Sequence, residues 1–98
     1  PIQPPNVITA KGDGTNDAFV IRNTEDYDRV HLQIFNRWGN LVYESLDYQN
    51  DWTGLDMKKR ELEDGVYTYV AMPTSIKFEY DDEEKALYTA HGFVHIVR

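Results

Sequence analysis

Three groups of residues in this chain have types and spacings that chemistry can use. Asp13, Thr15 and Asp17 alternate within Gly12-Asp13-Gly14-Thr15-Asn16-Asp17. Their side-chain oxygens converge in a tight loop, as a hard cation such as calcium requires. The later glycine and the bidentate glutamate of a complete calcium loop are absent, so an Asx-type turn with carboxylates bonded to backbone N–H groups is the favoured expectation. His91 and His95 are four apart. That spacing would suit a metal on a helix, but on a strand it separates them by roughly 13 Å at about 3.3 Å per residue. These two and His31 are expected to be ordinary solvated histidines. Asp51, Asp56, Glu61, Glu63 and Asp64 crowd one region. A glycosidase needs two carboxylates fixed across a cleft, and loops of so small a domain leave little room for one. Acidic loops that keep the chain soluble are expected instead. There is no Ser-His-Asp ordering with a nucleophile elbow and no Gly-rich phosphate loop. The expectation is no catalysis, and no cofactor beyond the calcium candidate.

The tryptophans invite a different use. Trp38 falls in Asn36-Arg37-Trp38-Gly39-Asn40, and Trp52 stands two residues before Gly54. A tryptophan at a hairpin tip either folds back onto a sheet or awaits a partner. Arg37 beside it can clamp a carboxylate, and aromatic and arginine anchors are favoured at interfaces. The plainer reading is that both tryptophans cap the ends of a small core.

The elements that would carry these residues are strands. Val30, Leu32 and Ile34 alternate with Arg29, His31 and Gln33, which predicts a half-buried strand over Arg29–Asn36. Asn36-Arg37-Trp38-Gly39 reads as a type I turn closed by a left-handed Gly39, with Asn40–Glu44 returning. Val66 to Met72 is an aromatic strand that Pro73 ends or marks as an edge. Shorter strands are expected at Asn6–Ala10, Ala18–Ile21 and Ser75–Tyr80, and a last one at Ala86–Val97. The acidic run Asp81–Glu84 forms the tip between the last two. Residues 45–64 read as polar loop. About seven short strands with turn signals between them predict an all-β protein, an antiparallel sandwich, with a barrel as the alternative.

Composition narrows the classes. The chain has 98 residues, a net charge of −7 and no cysteine. One domain with a single core is expected. The acidic balance disfavours nucleic acid and anionic membrane surfaces. Without cysteine there is no disulfide framework or thiolate zinc site. No apolar run approaches a membrane span. The opening Pro1-Ile2-Gln3-Pro4-Pro5 reads as the end of an interdomain linker, residues 1–5, with the domain proper at 6–98 and further protein upstream.

Four segments in order resemble a known family. They are Gly12-Asp13-Gly14-Thr15-Asn16-Asp17-Ala18-Phe19, the Ile34–Tyr43 hairpin around Asn36-Arg37-Trp38-Gly39, the pair Tyr48–Gly54 and Leu62–Tyr69, and Gly92–Arg98. Together they resemble the gliding-motility-associated C-terminal domain, the type B sorting domain of type IX secretion substrates in Bacteroidota. Lys11, Ala10, Glu63 and Thr53 depart from the family's usual residues. The resemblance implies an immunoglobulin-like sandwich at the end of an exported protein. It also implies a non-catalytic signal, read by the type IX machinery at the outer membrane, with a PorP/SprF-like protein as the partner. The cargo would then reach the cell surface or the medium. Asn36, Arg37, Trp38, Gly39, Asn40, Gly92, Phe93, Val94, Ile96 and Arg98 are expected to serve recognition. Gly12, Asp13, Gly14, Asn16 and Asp17 form the motif loop, and Trp52, Gly54, Gly65, Tyr67 and Tyr69 are expected to be structural. The alternatives are a carbohydrate-binding sandwich that stacks sugars on Trp38 and Trp52, and a spacer in a surface adhesin.

Overall fold

Alternation of apolar and polar residues organises the molecule. The structure, a computed structural model, describes residues 1–9, 17–74 and 89–98. Within them lie five strands and no helix: β1 (Val7–Thr9), β2 (Arg29–Phe35), β3 (Leu41–Ser45), β4 (Gly65–Thr74) and β5 (Ala90–Val97). They form one sheet in the order β1-β5-β4-β2-β3. The protein is all-β, as its strand periodicity predicts.

Register places the apolar residues on one face. Val30, Leu32 and Ile34 of β2, Tyr67 and Ala71 of β4, Val94 and Ile96 of β5 and Ile8 of β1 are all buried. Ile2, Phe19, Ile21, Tyr48 and Trp52 close over them from irregular segments. The opposite face is open, with Phe93 68% and Val66 51% exposed. Gly92 makes room on the inner face, since a Cβ there would stand 2.9 Å from the Tyr69 hydroxyl across the β4–β5 ladder.

Several expectations are corrected. The described residues form five strands in one sheet that is not antiparallel throughout, since β1 runs parallel to β5. Alternation reveals a strand but not its partner, and the first strand lies beside the last. Ala18–Ile21 is not a strand. Phe19 and Ile21 are buried as a strand's would be, but their N–H groups bond Trp52 O and Asn50 Oδ1 in a loop. Pro73 does not end β4, which runs on to Thr74; it pairs with Val30 of β2 on one side. It is tolerated because the described pairing with β5 stops at Ala71–Ala90. In the segment expected as linker, Ile2 is buried and Gln3 bridges Arg22. The expected strand Ser75–Tyr80, the acidic tip Asp81–Glu84 and residues 86–88 lie outside the described residues.

Candidate recognition surface

Asn36 builds the hairpin tip almost alone. Its carbonyl accepts from Gly39 N (3.0 Å), and its Oδ1 accepts from Trp38 N and Asn40 N (3.0 Å each). Its N–H donates to Asn40 O at 2.9 Å. Gly39 sits at φ +81°, where a side chain would be strained. The backbone is therefore fixed while Trp38 projects, 70% exposed. The Arg37 guanidinium stacks over the indole at 4.3 Å from its centroid, a cation–π contact that holds both side chains outward.

Beneath the tip, the turn from Glu63 to Tyr67 forms the other wall of a cleft of about 80 Å³. Small-molecule pockets run to roughly 300 Å³ or more, so this space takes one protein side chain rather than a substrate. Tyr67 donates its hydroxyl to Glu63 O at 2.9 Å. Burial, with the Glu63 carboxylate, pushes that hydroxyl's pKa up.

The end of β5 reaches the same turn. Arg98 N donates to Asp64 Oδ2 at 3.2 Å. The Arg98 side chain does not project. Its Nε donates to Leu62 O (2.7 Å) and its Nη2 to Gly54 O (2.6 Å). Hairpin tip and final residue, far apart in sequence, thus meet at one end of the sheet through Glu63–Gly65. Of the other recognition candidates on β5, Val94 and Ile96 have no exposed surface and Gly92 faces Tyr69; Phe93 is open.

Trp52 is interior. Its Nε1 donates to Leu55 O at 2.8 Å, and Phe19 meets its ring edge-on at 6.0 Å. The Tyr48 hydroxyl bridges two backbones, donating to Phe19 O and accepting from Trp52 N. Burial pushes its pKa up. Tyr69 packs 5.4 Å from Phe19.

His31 is not simply solvated. Its Nε2 lies 2.7 Å from Glu44 Oε2, which also accepts from Gln33 at 3.0 Å. The His31 hydrogen bond, then that of Gln33, holds the Glu44 carboxyl below its ordinary 4.5. A depressed folded value means that the stabilisation is complete above pH 4.5 and is lost as pH falls through the folded value. Glu44→Gln is therefore expected to narrow its stability gap to the parent as pH falls from about 6 to about 3. Thermal melts across that range check it, and a constant gap refutes it.

His91 and His95 are exposed on either side of Phe93. Of the motif loop, Asp17 is half-buried, and Gly12, Asp13, Gly14, Thr15 and Asn16 lie outside the described residues. Among the described residues, no three His, Asp or Glu side chains cluster to hold a metal. No helix among them is long and apolar enough to cross a membrane.

The family model of the CHU_C type IX secretion signal domain matches residues 2–96. The chain belongs to that family. No curated protein and no solved structure matches it. As a type IX secretion signal domain it is a sorting signal, which implies contact with the secretion machinery and export to the cell surface or medium. Two features of this signal domain escaped sequence reasoning. The exposure of Val66 follows from its position opposite His95, on the face left uncovered. The bridging role of Tyr48 was signalled only by its place four residues before a buried tryptophan.

Proposed function

We propose that this domain is a non-catalytic address label. It presents the Asn36–Asn40 tip and Phe93 to an outer-membrane component of the type IX machinery, of the PorP/SprF-like kind. Upstream cargo on the same chain then crosses the outer membrane. The irregular segments that close over the sheet act as the second layer of an immunoglobulin-like sandwich. Any calcium at Asp13, Thr15 and Asp17 would serve the fold. One observation carries the reading: a rigid tip holds Trp38 in solvent at 70% exposure, with no core role for its ring. Tryptophan and arginine are the residues that most often dominate binding energy at interfaces. A sugar platform of two tryptophans lacks its second member, since Trp52 is 2% exposed.

The test is a fusion to the C-terminus of a foreign cargo in a host with the machinery. Trp38→Ala is expected to lower export about tenfold or more, from loss of a hot-spot side chain. Its melting temperature should match the parent's, because the indole is wet in the folded state. Export at the parent level would refute the role given to the tip.

A further inference from the structure

Among the described residues, β5 is covered along only half its outer edge. β1 pairs with it from His95 to Val97, through Val7, Ile8 and Thr9. His95 N donates to Asn6 O on that side. Backbone groups alternate along a strand, so His91 and Phe93 turn their N–H and C=O the same way, while Gly92 and Val94 face β4. Continuing β1 upstream alongside β5 would put residues 4 and 5 there. They are Pro4 and Pro5. In that register the donor to the His91 carbonyl would be residue 4, a proline without an N–H, and the chain instead leaves to pair Gln3 with Arg22. Among the described residues, nothing pairs the edge of Ala90–Val94.

We propose that this open half-edge of β5 takes an extended strand of a partner protein, by β-augmentation. The chemistry selects the occupant: alternating backbone donors and acceptors at His91 and Phe93 are met in register only by another extended backbone. The Phe93 side chain, 68% exposed beside that edge, supplies the apolar contact that gives such pairing its selectivity. The edge segment itself carries none of the residues that usually blunt one. No lysine, proline or carboxylate lies within Ala90–Val94, in a chain with seventeen acidic residues. The proposal rests on the sorting role above and names how the partner holds the label.

The decisive variant is His91→Pro. Its nitrogen faces the open edge, so the substitution removes an outward donor and no bond to β4, and His91→Ala controls for the side chain. In the exported fusion, His91→Pro is expected to lower export about tenfold or more while His91→Ala exports normally. Amide exchange on the isolated chain reads the edge directly. His91 and Phe93 should exchange fast, and Gly92 and Val94 slowly. Normal export of His91→Pro, or slow exchange at His91 and Phe93, overturns the proposal. Should His91→Pro fail to fold, the exchange pattern alone decides. A dimer of the parent that His91→Pro abolishes would make a second copy the occupant and also overturns it. If the parent fusion itself stays inside, the sorting role fails, and that outcome is distinct from all of these.

Discussion

Trp52→Ala is expected to lower the unfolding free energy by about 3–5 kcal/mol, the usual cost of emptying a buried aromatic site. Trp52 is 2% exposed and is the largest fully buried side chain. Phe19 and Tyr43 lean on its ring at 6.0 and 5.8 Å, and its indole N–H is satisfied by Leu55 O. The loops around it are tied to one another, Phe19 N to Trp52 O and Trp52 N to the Tyr48 hydroxyl, so they cannot simply close over the cavity. A domain of this size has only about 5–15 kcal/mol in total, so the variant should unfold at much lower urea than the parent. Trp52→Phe should lose clearly less. The readout is clean: Trp38 is in water, so the blue-shifted part of the native emission belongs to Trp52. Urea melts followed by far-UV circular dichroism check the stability. A loss below about 1 kcal/mol would mean that the loops, not the indole, organise this face.

That same layer explains what sequence reasoning reached and what it missed. β2 was legible because Val30, Leu32 and Ile34 are buried in strict alternation. The hairpin tip was legible because Asn36 and Gly39 occupy the positions a type I turn demands. Ala18–Ile21 misled for the reason β2 did not. Phe19 and Ile21 alternate into the core, but their amides bond a loop carbonyl and the Asn50 side chain, which no local pattern encodes. The parallel pairing of β1 with β5 is a fact of topology between chain ends, and period two is silent on partners. In the candidate recognition surface, the exposure of Trp38 was legible from its place in the turn. Phe93 could be told from Val94 and Ile96 only by knowing which face the loops cover. Arg98 was read as a group presented to a receptor; its carbonyl partners, 36 and 44 residues upstream, leave no trace in the local sequence.

Those two carbonyls make Arg98→Ala the other sensitive substitution. The guanidinium spans Leu62 O and Gly54 O, joining the end of β5 to both sides of the Leu55–Glu61 bridge. Hydrogen bonds from a charged donor contribute about 1.5–3 kcal/mol each, and with the side chain 21% exposed, water recovers part of that. A net loss of about 2–3 kcal/mol is expected. The Glu61 carboxylate, 3.9 Å away and 75% exposed, adds little. Gly54 is adapted to this contact: it sits at φ +84°, and a Cβ there would stand 3.1 Å from Nη2. Arg98→Lys should fall between parent and alanine, because one ammonium lacks the planar fork that reaches both oxygens. Export separates the clip from direct recognition. If Arg98 acts by holding the 54–64 loop, Arg98→Ala loses export only as it loses stability, and the lysine variant recovers both in parallel. Should Arg98→Ala melt like the parent and still stay inside the cell, the guanidinium leaves its carbonyls to meet the machinery, and the clip is not its role.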